Sequence, residues 1–430
     1  MLIKQISISH PTERTIDLVP TRGFDPLYRE IYGKMNLTLL VGPNGSGKTS
    51  AMSLIARAFH YLERDRDRIL GKFRIAYEQL HLDTRKDIVI QGDESCATIS
   101  IDGEAPRIIA PWSKALKHSN PRREGEVSYD DIKDLLPTNI VVSAFSTRGE
   151  YPNIRADNYI GDRRLAQFDI GMMYGSNHYS MGSLSWGIAR LAEMLFRGDP
   201  RVATLVDLLG IEFTGRVLVR VKDRVAWDGS PVWGRESWAV IDDGLLQQVV
   251  AGEAYFNDLE LRRHSRILML RNMSSGEKVL FVRIVSLLSS VRDRSIVLIE
   301  EPELHLDPLW AKQWITLLSS FFRDISAHFI IATHSPLFIN TVFQENIVVF
   351  DENGSRWPDF NTFLASQSEL EERLYSVFGS PNLPEDFVRG VIESGDPIRM
   401  AELFRRLGES HTRFQVFSQM RQVKSDVEGP

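Results

Sequence analysis

Apolar residues along the first 60 positions predict two short strands, a third strand and a helix. Leu2 to Ser9 and Thr15 to Val19 alternate apolar and polar residues, which is typical of strands with one buried face. Leu37 to Val41 is a more continuous apolar run. Ser50 to Tyr61 has helical spacing. A glycine-rich connection lies between this third strand and the helix.

The pattern is equally clear after residue 274. Apolar positions recur at helical spacing up to Val291, and short apolar runs then alternate with a helical stretch. The predicted elements are a strand at Ile296 to Ile299, a helix at Trp310 to Ile325, and strands at Phe329 to Ala332 and Asn346 to Phe350. Continuous apolar strands that alternate with helices indicate an α/β fold with a mostly parallel sheet covered by helices on both faces.

The middle of the chain gives weaker signals, and the last 70 residues look helical. The predicted helices are Glu63 to Arg74, Gly187 to Phe196, Val202 to Leu209, Glu369 to Val377, Glu385 to Glu393 and Pro397 to Leu407. The predicted strands are Asp87 to Gln91, Ala97 to Ile101, Arg107 to Ile109, Asn139 to Ala144 and Arg216 to Val221. Asn158 to Ser185, rich in Gly, Ser, Asn and Tyr, is expected to form an ordered loop region.

Composition excludes several classes of protein. The chain has 430 residues, 43% of them hydrophobic and 25% charged, with a net charge of −6, so it is neither disordered, collagen-like nor basic as a whole. The single cysteine, Cys96, excludes an internal disulfide framework and a Cys-rich zinc site. The amino terminus predicts a strand rather than a signal peptide, and no stretch approaches the length of a membrane span. We therefore expect a cytoplasmic protein without membrane contact.

The glycine-rich connection is a phosphate-binding loop of the form G-x-x-x-x-G-K-[ST]. Its backbone N–H groups and the following helix N-terminus favour an anion. In such a loop the lysine reaches the β and γ phosphates and the last hydroxyl binds Mg²⁺. The predicted nucleotide-binding residues are Gly42, Pro43, Asn44, Gly45, Ser46, Gly47, Lys48, Thr49 and Ser50, with Thr49 also a metal ligand.

Two carboxylates end the apolar strand at Ile296 to Ile299. Glu300 would hold Mg²⁺, and Glu301 would orient and deprotonate the attacking water. Glutamate at the first position is a departure, because the usual residue there is aspartate. The alternative is that the pair faces solvent or caps a helix near Glu303.

Two shorter motifs are ambiguous when they are taken alone. Ser274-Ser275-Gly276-Glu277 precedes a helix, so it is either an anion site or an ordinary helix cap. Thr333-His334-Ser335-Pro336 follows a strand, and a single histidine in this position is more often structural than functional.

The order of these motifs resembles that of the ABC-type ATPases, and more narrowly the branch that contains SMC, RecF and the OLD-like proteins. The similarity lies in GPNGSGKT at 42 to 49, MSSGE at 273 to 277, IVLIEEPELHLDP at 296 to 308 and IATHSP at 331 to 336. It implies an ABC-type core with an added antiparallel β subdomain. That core would be split over residues 1–60 and 270–355, with an insertion at 61–269 and a helical region at 356–430.

The resemblance also implies ATP and Mg²⁺ as ligands and a homodimer that holds ATP between head-to-tail subunits. Lys48, Glu301 and His334 would be catalytic, with His334 at the γ phosphate and Glu300 at the metal. The partner subunit would contribute its signature motif to the same phosphate, and Asp307 would lie in a loop that crosses the interface. The signature residues are Ser274, Ser275, Gly276 and Glu277. The glutamine of the family's glutamine loop is either Gln91 or a residue near the strand that ends at Ala144.

Thr49 and Ser274 are 225 residues apart, and the chain between them looks like a globular insertion rather than a coiled coil. NIVVSAFSTRGEYP at 139 to 152 and YIGDRRLAQFDIGMMYGSN at 159 to 177 resemble ATPases of Septu-type and retron-associated defence systems. No Asp-x-Asp follows His334, so we expect any nuclease to be a separate protein. The preferred hypothesis is an ATPase that regulates such an effector in antiphage defence.

Two alternatives remain open at the level of sequence. One is a RecF-like DNA repair ATPase, and the other is an ATP-gated scaffold that hydrolyses slowly. A higher oligomer is also open. Nucleic-acid binding is open because arginines and lysines cluster where they could either follow a phosphate backbone or form solvated ion pairs. These basic clusters are Lys114, Lys117, Arg122 and Arg123; Arg163 and Arg164; and Arg262, Arg263, Arg266 and Arg271.

Overall fold

A computed structural model describes most of the chain as two units, Met1–Leu364 and Ala365–Pro430. The described residues are 1–8, 14–19, 26–62, 72–82, 84–93, 96–109, 125–144, 151, 165–169, 188–189, 191–195, 197–227, 230–304, 306–351, 354–375, 383–407 and 411–427. No helix in these ranges is long and apolar enough to span a bilayer.

The strands in chain order are β1 (Leu2–Ile8), β2 (Arg14–Asp17), β3 (Asn36–Val41), β4 (Phe73–His81), β5 (Thr84–Gly92), β6 (Ala97–Ile101), β7 (Arg107–Ile109), β8 (Glu126–Val127), β9 (Ile140–Ala144), β10 (Leu165–Asp169), β11 (Glu212–Val225), β12 (Pro231–Trp233), β13 (Ser237–Val240), β14 (Ala254–Arg263), β15 (Arg266–Met269), β16 (Ile296–Glu300), β17 (His328–Thr333), β18 (Ile347–Asp351) and β19 (Gly354–Arg356).

The helices in the same ranges are α1 (Pro26–Tyr32), α2 (Lys48–Leu62), α3 (Tyr129–Ile132), α4 (Pro200–Leu209), α5 (Asp243–Val250), α6 (Ser275–Ser290), α7 (Pro308–Phe322), α8 (Pro336–Ile339), α9 (Gln367–Tyr375), α10 (Leu383–Glu393), α11 (Pro397–Arg406) and α12 (His411–Val427).

The central sheet has the strand order β10-β9-β16-β17-β3-β18-β19. Its first six strands are parallel, and β19 joins the edge in the antiparallel direction. Every residue of β3, β9, β16 and β17 is buried, which explains their continuous apolar sequences. The predicted α/β class is confirmed. Because parallel strands end at one edge, the segments that follow β3, β16 and β17 meet there.

The second sheet, β2-β1-β4-β5-β6-β7-β8, is antiparallel except for the β7–β8 pair. One buried apolar cluster joins its inner face to α2 and the central sheet, including Ile6, Ile75, Ile55 and Ile330. The phosphate-loop helix is therefore held in a continuous core.

His328 ties the two sheets together through buried hydrogen bonds. Its Nδ1 accepts from the Ile3 N–H at 3.0 Å, and its Nε2 lies 2.9 Å from Thr38 Oγ1. The Thr38 hydroxyl donates its hydrogen to the Leu18 carbonyl, so Nε2 must carry the ring proton. Burial lowers the pKa of His328 to about 3.

The third sheet is antiparallel, with the order β12-β11-β14-β15 and with β13 also paired to β11. Strand β11 extends well beyond the predicted strand at Arg216 to Val221 on both sides. Cross-strand ion pairs stabilise its polar positions, such as Arg220 with Glu236 and Lys222 with Glu253.

Two expectations about the middle of the chain were wrong for the residues that the structure describes. The helix predicted up to Arg74 conflicts with β4, which begins at Phe73 and alternates buried and half-buried residues; residues 63–71 lie outside the described part. The loop expected from Asn158 to Ser185 contains the edge strand β10, and the rest of that stretch is not among the described residues.

The second unit consists of helices α9 to α12. Its own small core is built from Val391, Met400 and Val416. Asp396 caps α11 by accepting hydrogen bonds from the N–H groups of Ile398 and Arg399.

Candidate functional site

The phosphate loop connects buried β3 to α2, which begins at Lys48. Gly42 has a φ of +152°, and a Cβ there would lie 2.3 Å from the Phe350 carbonyl oxygen on β18. Gly47 has a φ of +101°. Both positions require glycine, so sequence and backbone geometry agree at this loop.

Lys48 is folded back onto its own loop and is only 6% exposed. Its Nζ donates hydrogen bonds of 2.7 Å to the carbonyl oxygens of Gly42 and Pro43. Burial lowers the pKa of Lys48, although the nearby charges of Glu301 and Glu300 oppose this shift. The ammonium group is therefore bound to its own loop and is within the electrostatic influence of the acidic pair, as a phosphate-binding lysine requires.

The remaining loop residues differ in exposure. Asn44 and Ser50 are exposed, and Thr49 is half-buried. Ser46 Oγ is buried and, in the described structure, has no hydrogen-bond partner. An unpartnered hydroxyl in a concave glycine loop fits a ligand with acceptor oxygens such as a nucleotide.

Glu300 ends β16 and is 8% exposed. Tyr151, itself buried, donates its hydroxyl to Glu300 Oε1 at 2.7 Å. Tyr151 follows β9, the neighbour of β16 in the sheet. Tyr151 lies in the stretch 139 to 152 that resembles defence ATPases, but it was not predicted as a site residue.

Glu301 and His334 form an ion pair at the same edge of the sheet. His334 Nε2 lies 3.1 Å from Glu301 Oε1, and each side chain is 33% exposed. The hydrogen bond with His334 lowers the pKa of Glu301, and the same bond raises the pKa of His334, in both cases against the opposing effect of burial. The pair therefore favours a carboxylate beside an imidazolium.

The backbone of Glu301 has an unusual conformation. Its φ is +40°, in the left-handed region that side chains other than glycine rarely adopt. Its N–H nevertheless donates to the Ala332 carbonyl at 2.8 Å, which continues the ladder between β16 and β17. Strain of this kind is common at functional sites.

Glu303 is the second residue that sequence reasoning did not assign to the site. Its Oε1 accepts the Thr333 hydroxyl at 2.7 Å and the His334 N–H at 3.2 Å. The third acid in Glu-Glu-Pro-Glu was the available signal, but Glu303 was named only as the place of a helix that the acidic pair would cap.

Ser274 caps α6 within its own chain. Its N–H and hydroxyl both contact Glu277 Oε2, and the Glu277 N–H returns a bond to Ser274 Oγ at 3.3 Å. Burial opposes ionisation of Glu277, but these bonds and an ion pair with Arg263 at 2.8 Å lower its pKa. Ser274 is exposed and Gly276 is half-buried. Among the described residues, the bonds of the Ser274 side chain thus stay inside the cap. Ser275 begins the helix.

Asp307 lies on the surface as the cap of α7, where it accepts the Leu309 N–H at 2.9 Å. Gln91, one candidate for the glutamine loop, lies exposed on β5 in the antiparallel sheet. The end of β9, the other candidate position, adjoins Glu300 through the β9–β16 pairing.

Three arginines of one predicted basic cluster are paired with acids. Arg262 pairs with Glu212, Arg263 with Glu277 and Arg271 with Asp258. These pairs favour the solvated-face interpretation of this cluster. The clusters at residues 114–123 and 163–164 lie outside the described residues.

Magnesium fits the oxygen donors at the sheet edge. Thr49 offers a hydroxyl at the start of α2, and Glu300 offers a buried carboxylate at the end of β16. Proteins often hold Mg²⁺ with one or two such oxygens while nucleotide phosphates supply others. Within the described ranges, no group of three or more His, Cys, Asp and Glu side chains forms a separate metal centre.

A family model described as "AAA domain, putative AbiEii toxin, Type IV TA system" matches residues 156–340. The matched range includes the signature motif, the acidic pair and His334, but it begins after the phosphate loop.

Curated relatives match shorter stretches. The Retron Vc95 probable ATPase of Vibrio cholerae serotype O1 biovar El Tor is 31% identical over 139 residues, which cover 29% of this chain and 27% of the relative. The Retron Ec83 probable ATPase of Escherichia coli is 30% identical over 141 residues, which cover 30% of this chain and 25% of the relative. Protein ea59 of Escherichia phage lambda is 37% identical over 73 residues, which cover 17% of this chain and 14% of the relative. The chain thus spans about a quarter or less of the length of these relatives.

Two solved structures are distantly similar. The SMC head domain from Thermotoga maritima has 15% identity and a TM-score of 0.38, covering 84% of this chain and 100% of that one. An SmcHead bound to the C-winged helix domain of ScpA has 12% identity and a TM-score of 0.39, covering 84% and 98%.

In the order and strand contexts of its four motifs, in its family match over residues 156–340 and in its retron relatives, this chain is similar to P-loop ATPases of the SMC/RecF/OLD-like branch and to the probable ATPases of retrons.

Proposed function

We propose that this protein binds and hydrolyses ATP. The observation that carries this proposal is the meeting of Lys48, Glu300, Glu301 and His334 at one edge of the central sheet, where the charges of both glutamates act on Lys48 and Glu301 is bonded to His334. A phosphate loop beside a carboxylate and a histidine is a suitable arrangement for phosphoryl transfer to water.

Each side chain has a role in this proposal. Lys48 exchanges its two loop carbonyls for oxygens of the β and γ phosphates, and the backbone N–H groups of the loop hold the same phosphates. Glu301, kept ionised by His334, accepts a proton from the attacking water. His334 donates to the γ phosphate, whose charge increases as the bond breaks. Mg²⁺ held by Thr49 and Glu300 would neutralise charge on the phosphates.

The proposed active form is a head-to-tail homodimer. Ser274 is exposed and its side-chain bonds remain inside the α6 cap, so the anion-binding end of this helix is available to a second chain. A phosphate loop in one subunit and a signature motif in the other would then enclose ATP together, with Asp307 near the interface. ATP binding would stabilise this dimer, and hydrolysis would weaken it.

We further propose that the ATPase regulates a separate effector in antiphage defence, and that this effector is a nuclease. Support comes from the similarity to two proteins named as probable ATPases of retrons. The DNA repair alternative has less support, because the described cluster of arginines is paired with acids.

One experiment tests both parts of the proposal. Tagged protein is co-expressed with the products of its adjacent genes, purified, and assayed for phosphate release from ATP and for co-purifying protein. We expect Mg²⁺-dependent hydrolysis that Lys48→Ala reduces at least about 100-fold, because the lysine is the main cation at the phosphates. Hydrolysis unchanged in Lys48→Ala would refute the site, and an active ATPase that retains no neighbouring product would refute the effector role.

A further inference from the structure

Glu303 lies in a turn that follows β16, and its side chain contacts the end of β17. After Glu301, hydrogen bonds from Leu304 N–H to the Glu301 carbonyl and from Leu306 N–H to the Glu303 carbonyl close this turn. Buried Arg283 of α6 donates to the Pro302 carbonyl at 2.9 Å. The backbone on both sides of Glu303 is therefore fixed.

The carboxylate of Glu303 binds the segment that carries His334. Oε1 accepts from the Thr333 hydroxyl and from the His334 N–H. Thr333 Oγ1 in turn accepts the Ser335 N–H at 3.0 Å. Three consecutive residues, 333 to 335, are thus joined to one carboxylate oxygen directly or through a hydroxyl.

Glu301 and Glu303 hold different parts of His334. Glu301 contacts the imidazole ring, and Glu303 contacts the backbone N–H. A ring held only by Glu301 could move together with that side chain, since both are one-third exposed. The bond to Glu303 fixes the point from which the ring projects. Glu303 Oε2 is buried and, among the described residues, has no hydrogen-bond partner, so the carboxylate is held mainly through Oε1.

We propose that Glu303 is a positioning residue for ATP hydrolysis, which acts by fixing His334 at the γ phosphate. This inference rests on the proposed ATPase function. Glu303 itself touches neither nucleotide nor water in this account. A displacement of His334 by about 1 Å is enough to lower the rate of a positioned reaction by up to about 100-fold.

The test is a double-mutant cycle between Glu303→Ala and His334→Ala, measured with radiolabelled ATP so that slow variants are still quantified. We expect Glu303→Ala to lower kcat about 10- to 100-fold in the wild-type background while KM changes less than about 3-fold. In the His334→Ala background the same change should lower kcat less than about 3-fold, because the residue it positions is gone. Glu303→Gln keeps an acceptor oxygen and should recover most of the lost rate.

Controls separate this inference from the proposed function and from loss of folding. Glu372→Ala, on the exposed side of α9, should behave as wild type. If Glu303→Ala does not fold, as judged by its melting curve, Thr333→Val removes one of the two donors to Glu303 with little change of shape and replaces it in the cycle. Equal losses of kcat in both His334 backgrounds would overturn the positioning role while leaving the ATPase intact. Wild-type hydrolysis that is insensitive to Lys48→Ala would instead overturn the function itself.

Discussion

Glu300 has a longer side chain than the aspartate usual at its position, and the structure holds it with a buried tyrosine. The Tyr151 hydroxyl donates to Glu300 Oε1 at 2.7 Å. A hydrogen bond to a carboxylate restricts its rotamers and favours its ionised form. Tyr151 thereby offsets the extra freedom of a glutamate that is proposed to bind Mg²⁺.

We predict that Tyr151→Phe weakens the response to Mg²⁺. The ring remains, but the carboxylate loses a donor, and bonds to charged groups are typically worth about 1.5 to 3 kcal/mol. The Mg²⁺ concentration for half-maximal hydrolysis should rise about 10-fold or more. Tyr255→Phe, on β14 in the third sheet, is the matched control. An unchanged Mg²⁺ titration for Tyr151→Phe would show that the hydroxyl does not support the metal ligand.

At the scale of residues, site residues inside fixed motifs can be predicted from the sequence. Residues that reach the site from distant parts of the chain cannot. Lys48 and Glu301 lie in short patterns that follow apolar strands, so their placement at the sheet edge could be expected. Tyr151 is 149 positions away from Glu300 and follows a different strand. The Glu303 contact to Thr333 spans 30 positions. Only strand order brings such residues together.

Individual elements show where hydrophobic patterns are sufficient to predict a strand. Strands β3, β16, β17 and β18 were predicted because their apolar runs are continuous, as required when both faces are covered. Strand β4 was missed although Phe73, Ile75 and Tyr77 alternate, because the charged segment before it suggested a helix. The edge strand β10 has five residues in a polar surrounding and depends on pairing with β9, which its local sequence does not reveal.

Strand β17 also contains the histidine that joins the sheets, and this makes stability dependent on pH. The pKa of His328 is about 3 in the folded protein and ordinarily 6.5. The unfolded chain therefore binds the proton first as pH falls, so stability is full above pH 6.5 and decreases toward pH 3. Between pH 7 and pH 4.5 the loss from this group is about 2 to 3 kcal/mol, at about 1.4 kcal/mol per pH unit.

Denaturant unfolding of wild type and His328→Gln at the two pH values checks this prediction. The variant is expected to be less stable at pH 7 but to lose about 2 to 3 kcal/mol less on acidification, because it has no ring to protonate. His264→Asn removes an exposed histidine with positive φ and should retain the wild-type pH dependence. If wild type and His328→Gln lose the same unfolding free energy on acidification, this would contradict the claim that His328 is buried in its neutral form.

At the scale of the whole molecule, segments distant in sequence share one sheet. Strands β9 and β10 lie between residues 140 and 169, inside the stretch expected to be an insertion, yet they extend the central sheet beside β16. Strands β4 to β8 likewise continue the sheet that β1 and β2 begin. The segment between Thr49 and Ser274 therefore contributes strands to both the central and the second sheet.

The signature motif remains the part of the proposed site that a single chain does not complete, since Ser274 bonds only within its own helix cap among the contacts described. Our central claim is that two chains assemble each ATP site, with the phosphate loop of one and the signature motif of the other. Two variants that are inactive alone should therefore complement each other.

The most direct measurement is ATP hydrolysis by an equal mixture of Lys48→Ala and Ser274→Arg proteins. In a head-to-tail dimer, half of the randomly mixed dimers contain one site with both motifs intact, so activity should return to about a quarter of the wild-type value per chain. Ser366→Arg changes a serine outside the motifs that also caps a helix, by accepting the Glu369 N–H at the start of α9, and is the matched substitution control. Recovery near this level would support the shared site, whereas a mixture as inactive as its components, or a Ser274→Arg protein as active as wild type, would contradict it.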